Sequence, residues 1–101
     1  MAIIKGIFIT EKAFESQVKQ MAKMFGWIYY HTWRSIHSPA GFPDCVMVRG
    51  NRIIFAELKS EKGKVSPSQQ EWLDALKETP VEVFLWYSSD ETLEEIAEIL
   101  Q

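Results

Sequence analysis

Asp44, Glu57 and Lys59 are the residues of this 101-residue chain whose types and spacing point to chemistry. They flank a β-rich segment centred on Gly50-Asn51. That pair is a two-residue turn signal between Cys45-Val46-Met47-Val48-Arg49 and Arg52-Ile53-Ile54-Phe55-Ala56. With Gly50 and Asn51 as the loop, Arg49 faces Arg52 and paired residue numbers sum to 101. Asp44 then lies directly opposite Glu57, with Cβ atoms about 4.5–5.5 Å apart. Lys59, two residues further on, projects from the same face. Two like charges so placed destabilise a sheet unless something neutralises them. A divalent cation would do so. The alternative is a solvated strand end at which Lys59 is a simple ion-pair partner, and a one-residue slip of register would separate the acids altogether.

The elements that must position these groups are legible on either side. Thr10 is a plausible N-cap and Glu11 suits a first helical turn; Phe14, Val18, Met21, Ala22 and Phe25 follow at helical spacing until Gly26. Glu11 extends that apolar stripe at its N-terminal end and Glu15 borders it, so either acid is placed to reach a sheet beneath the helix, or simply to favour the helix dipole. Residues 3–9 read as a short strand or a packing arm. Trp27 to Trp33 is an aromatic, β-branched strand run with His31 near its end, a residue placed for a substrate or phosphate contact or for a structural role. Residues 34–42 form a loop, and Pro43 can start a strand.

After the hairpin, Ser60 to Val65 is a polar loop. Ser66 and Gln69 form a capping box with Pro67 at the first helical position. Trp72, Leu73 and Leu76 give that helix an apolar face, and it ends near Thr79-Pro80. Val81 to Tyr87 is a strand, and a last helix begins at Asp90 as its cap, burying Leu93, Ile96, Ala97 and Leu100. The order is helix, strand, strand, strand, helix, strand, helix. The stretch from the second hairpin strand through the helix at 67–78 to the strand at 81–87 has the length of a right-handed crossover between parallel strands. The expected fold is α/β, a mixed sheet of about four strands flanked by helices.

Composition bounds the rest. With 47% hydrophobic and 25% charged residues the chain is a folded globular one, long enough for a single domain with a modest core. One cysteine, Cys45, excludes an intramolecular disulfide and a Cys-rich zinc site, and its apolar strand setting favours a buried inert thiol. No apolar run approaches roughly 18 residues. The N-terminus lacks a signal-peptide pattern, so the expected location is soluble and intracellular. The net charge of −3 argues against a nucleic-acid partner. Its distribution weakens the objection. Asp90, Glu91, Glu94, Glu95 and Glu98 carry the excess, and residues 1–89 hold 11 basic against 9 acidic groups. Lys59, Lys62 and Lys64 cluster after the hairpin, where they would meet phosphates or form a solvated basic loop.

Pro43-Asp44 followed by Glu57-Leu58-Lys59 resembles the PD-(D/E)XK nuclease signature. Gly41-Phe42-Pro43-Asp44, Ala56-Glu57-Leu58-Lys59, Lys62-Gly63-Lys64-Val65-Ser66-Pro67, Gln69 and Trp72-Leu73-Asp74-Ala75-Leu76 together resemble its VRR-NUC branch. Gly26-Trp27 and Tyr30-His31-Thr32 are similar to pieces of the compact stand-alone members, which are typical of phages and mobile elements. The resemblance covers roughly residues 10–88. It implies a restriction-endonuclease-like core in one domain over 1–101. Asp44, Glu57 and the Leu58 backbone carbonyl would coordinate Mg²⁺ or Mn²⁺, and Lys59 would orient or help deprotonate the attacking water. An acid of the first helix, Glu11 with Glu15 as the alternative, would complete the metal shell, and Gln69 would pack near the catalytic residues. Hard oxygen ligands suit those metals. His31, Lys62 and Lys64 are the candidate DNA contacts.

The function so implied is metal-dependent endonucleolytic hydrolysis of DNA, on branched substrates such as Holliday junctions, by a homodimer whose two-fold axis suits a symmetric junction. In a phage-encoded member the location would be the host cytoplasm. Two readings of other classes compete: a catalytically silent DNA-binding or scaffold module that keeps the fold, and an acidic interaction domain whose final helix binds a protein.

Overall fold

The computed structural model describes residues 10–33 and 37–101, so the expected strand or arm at 3–9 and part of the loop at 34–42 lie outside the described residues. Seven elements follow in the expected order: α1 (Glu11–Met24), β1 (Ile28–His31), β2 (Cys45–Arg49), β3 (Arg52–Lys59), α2 (Pro67–Lys77), β4 (Glu82–Tyr87) and α3 (Asp90–Leu100). The strands form one sheet in the order β1-β2-β3-β4. The first two pairings are antiparallel and β3–β4 is parallel, as a crossover through α2 requires.

Local chemistry explains the boundaries. Thr10 caps α1 by accepting the Ala13 N–H at 3.1 Å. Gly50 carries the left-handed turn of the hairpin at φ +60°, a conformation that costs a residue without Cβ least. Ser66 and Gln69 form the full reciprocal capping box of α2. At α3 the cap is Ser89, not Asp90: Ser89 Oγ accepts the Thr92 N–H at 3.0 Å, and Asp90 takes the first turn, where its charge faces the positive helix end. The first strand is shorter than the aromatic run predicted, because Trp27 turns inward and its Nε1 donates to the Leu100 carbonyl at 2.9 Å.

The two sheet faces are covered differently. Cys45 and Met47 of β2 share a face with Ile54, Ala56 and Leu58 of β3 and Trp86 of β4. These residues are packed with Phe14, Val18, Met21 and Ala22 of α1 and Leu93, Ile96 and Leu100 of α3 into the main core. Alternation sends Val46, Val48, Phe55, Glu57 and Lys59 to the other face. There α2 lies against β4, and Phe42 sets its ring edge-on to both Phe55 (6.0 Å) and Trp72 (5.0 Å).

The hairpin end is tied to the end of α3. Arg49 donates to the carbonyls of Phe25 (3.0 Å), Leu100 (2.7 Å) and Gln101 (3.0 Å), and its guanidinium lies over the Trp27 ring. Arg52 adds a fork to Glu82 with bonds of 2.7 and 2.8 Å; that pairing raises the pKa of Arg52 and lowers that of Glu82. These donors satisfy carbonyls that a helix C-terminus leaves orphaned.

Candidate metal-binding site

The hairpin register is the one read from Gly50-Asn51. Arg49 pairs Arg52 and Cys45 pairs Ala56, so the next position outward sets Asp44 against Glu57. The β1–β2 ladder continues in the same direction, with the Thr32 N–H donating to the Asp44 carbonyl at 2.8 Å. A cross-strand row Thr32–Asp44–Glu57 therefore ends the face that also carries Lys59.

Each acid is held by the backbone or by α2. Asp44 Oδ2 accepts the Leu58 N–H at 2.8 Å, which ties the end of β2 to β3. Gln69 Nε2 stands 3.5 Å from Glu57 Oε1. The capping box decides which end of the Gln69 amide faces the acid: Oε1 is engaged by the Ser66 N–H at 2.9 Å, so the NH₂ points to Glu57. Glu57 is 1% exposed. Its Oε2 is buried with no hydrogen-bond partner among the described residues.

Burial is the largest influence on Glu57, followed by the neighbouring Asp44 carboxylate. They push its carboxyl up to about 9, Lys59 pulls it down, and Glu11 adds a further upward push. A buried carboxyl with one orphaned oxygen beside a second carboxylate is an electrostatically unsatisfied pair. All its donors are hard oxygens, which fits a divalent cation such as Mg²⁺ or Mn²⁺. Among the described residues no three His, Cys, Asp or Glu side chains converge as a ready metal cage. The acids brought together are Asp44 and Glu57. Glu11, exposed on the first turn of α1, reaches the site through its charge.

Glu15 is engaged elsewhere. Its Oε1 lies 3.3 Å from His31 Nδ1, an ion pair when the imidazole is protonated, and the His31 ring is edge-on to Trp33 at 5.6 Å. His31 pairs with Cys45 across β1–β2, so it belongs to the α1 face of the sheet, opposite the carboxylates. Lys62 and Lys64 are exposed in the loop before α2. Cys45 is fully buried, and desolvation pushes its thiol up to about 12. Tyr29 is raised as well, first by burial and then by Cys45. Neither group offers a thiolate or phenolate to the site.

Thr32 is the member of the row that the sequence did not single out. Its hydroxyl oxygen is buried with no partner among the described residues, next to Asp44. The signal lay in strand parity, but the long 33–43 connection hides the β1–β2 register until the pairing is seen.

A family profile, the VRR-NUC domain, matches residues 10–90. Two solved structures described as VRR-NUC domain proteins are similar in fold. One has a TM-score of 0.72 at 21% identity, covering 87% of this chain and 94% of that one. The other has a TM-score of 0.70 at 18% identity, covering 94% and 93%. A Holliday junction resolvase from Archaeoglobus fulgidus, an archaeal hyperthermophile, is similar with a TM-score of 0.63 at 16% identity, covering 89% and 99%. No curated protein matches the chain in sequence.

Proposed function

The chain belongs to the VRR-NUC family of nucleases, and on that premise we propose that it is a single-domain Mg²⁺- or Mn²⁺-dependent DNA endonuclease acting on branched DNA such as Holliday junctions. The observation that carries the reading is the Asp44–Glu57 pair: two opposed carboxylates, one buried with an orphaned oxygen, with Lys59 on the same face. Asp44, Glu57 and the Leu58 carbonyl would hold the metal. Glu11 is favoured over Glu15 as the helical acid, because Glu15 is paired with His31 while Glu11 acts on Glu57. When bound, a divalent cation supplies positive charge to the scissile phosphate and acidifies water.

The chain's own residues do the rest. Lys59 sets an ammonium beside the reacting phosphate, where it orients the attacking water and its positive charge favours loss of that water's proton to solvent. Gln69 keeps Glu57 in place by donating from Nε2. The Leu58 N–H fixes Asp44. Lys62 and Lys64 meet the DNA backbone as point charges.

A homodimer suits this activity. Ile28 (75% exposed), Tyr30 (61%) and Ile53 (40%) lie with Val46 and Val48 on the sheet face that α2 leaves uncovered. That patch carries no charge, so a two-fold contact between copies meets no like-charge penalty. Sedimentation showing only monomer at micromolar concentration would remove the dimer from the account.

The test of substrate class is a panel of single-stranded, duplex, flap, splayed and four-way DNA incubated with Mg²⁺ or Mn²⁺. Preferential incision of the four-way junction is expected. Equal cutting of linear duplex would overturn the branched-DNA reading and leave the nuclease; no cutting of any DNA would favour the silent DNA-binding module.

A further inference from the structure

The 41–44 arm carries Asp44, and the first turn of α2 carries Gln69. They meet at Gly41. Its backbone has φ +96°, and a Cβ built there would lie 2.5 Å from the Ser68 carbonyl carbon and oxygen and 2.9 Å from the Gln69 nitrogen. All three are backbone atoms of the helix start, which no rotamer change can move aside. We propose that Gly41 is a positioning residue: the bare backbone at this crossing lets α2 stand close enough for Gln69 to reach Glu57. The proposal rests on the reading of Asp44 and Glu57 as the metal-holding pair.

Magnitudes decide that the crossing matters. Restoring ordinary contact at position 41 requires α2 or the arm to move by about 1 Å, the gap between a clash and van der Waals separation. The arm has little room to yield. Pro43 is fully buried, Phe42 is set against Phe55 of the sheet, and Asp44 is bound to the Leu58 N–H. The displacement therefore falls on the helix start. The Gln69 Nε2 to Glu57 Oε1 distance is already 3.5 Å, the outer limit of a hydrogen bond, so a retreat of a few tenths of an ångström removes it. The capping box transmits the shift, because the Gln69 side chain is locked to Ser66 and travels with the helix. Gly41 thus couples the arm that presents Asp44 to the helix that steadies Glu57.

The experiment compares wild type with Gly41→Ala and Gly50→Ala. Both glycines have positive φ, but Gly50 at +60° sits in the left-handed region that a side chain can enter at modest cost, and a Cβ there meets nothing within 4 Å, so Gly50→Ala carries the milder part of the backbone strain without the contact. Three quantities are read: Mn²⁺ affinity by calorimetry, affinity for duplex DNA without metal, and exchange of the Gln69 side-chain amide protons by NMR in metal-free protein. Gly41→Ala is expected to weaken Mn²⁺ binding about tenfold, the usual effect of losing an outer-shell partner, while DNA affinity changes by less than about twofold. Gln69 amide exchange should quicken to that of an exposed glutamine in Gly41→Ala and stay slow in Gly50→Ala.

A folded Gly41→Ala whose Gln69 exchange matches wild type, or a Gly50→Ala with the same losses, overturns the proposal. Should Gly41→Ala fail to fold, Ser66→Ala, which releases the same helix turn from the other side, decides. Faster Gln69 exchange supports the coupling, and unchanged exchange overturns it. If wild type binds no Mn²⁺ the metal-site reading fails on its own, and the Gln69 exchange still decides the coupling.

Discussion

Replacing Glu57 by Gln removes the ionisable proton of the site while keeping its shape. The carboxyl has an ordinary value near 4.5 when unfolded and about 9 in the folded, metal-free protein, raised by burial and by Asp44. Between those values the folded state binds a proton that the unfolded chain has released. Stability therefore falls as pH rises through that window: the group costs nothing below about 4.5 and its full penalty is present above about 9. The limiting slope is on the order of 1 kcal/mol per pH unit for one proton, so wild type loses up to about 3 kcal/mol between about pH 6 and 8. That is a large part of the 5–15 kcal/mol, roughly, that holds a domain of this size. Urea denaturation in EDTA across this range reads it directly. The wild-type profile should slope downward and the Glu57→Gln profile should be flatter by about that amount. Saturating Mn²⁺ should raise wild-type stability most at the high-pH end, where no proton competes with it. Parallel profiles for the two metal-free proteins would refute the assignment of the proton to Glu57.

Other outcomes follow from the same structure. Arg49→Ala should cost about 2–3 kcal/mol in urea denaturation, since it leaves the Phe25, Leu100 and Gln101 carbonyls without their charged donor. Mn²⁺ affinity should not change, because this clamp lies at the opposite end of the hairpin from the acids. Cys45 should be inert to a disulfide reagent in the native protein and react at once in denaturant, as a fully buried thiol pushed up to about 12 requires. Labelling of native Cys45 at the rate of a free thiol would contradict the packing under the sheet.

The hairpin was legible because Gly50-Asn51 fixes both loop length and register, and register alone determines which residue faces Asp44. The helices were legible through their spacing and caps, down to the Ser66–Gln69 box. What the sequence could not separate were two functions in one side chain. Gln69 has a sufficient explanation as a cap, yet its two amide ends serve different partners, Oε1 the Ser66 N–H and Nε2 Glu57. Ser89 and Asp90 are both good caps, and one residue of register in the entering chain decided between them. Glu11 and Glu15 lie one helical turn apart, and the sequence put Glu11 first, on the apolar stripe, with Glu15 at its border as the alternative. The difference arises from the sheet, where His31 stands within reach of Glu15. Thr32 was hidden because its neighbour Asp44 is distant in sequence and no turn signal sets the register between them.

The most direct measurement is nicking of a labelled DNA junction by wild type and by Asp44→Asn, each with and without Mn²⁺. Asn preserves the side-chain shape and keeps an acceptor for the Leu58 N–H while removing the negative charge. Cutting by wild type only when Mn²⁺ is present, and a loss of at least about a hundredfold in Asp44→Asn, is the predicted result. Equal cutting by the two proteins, or wild-type cutting that persists in EDTA, would contradict the claim that the opposed carboxylates are the metal-dependent centre.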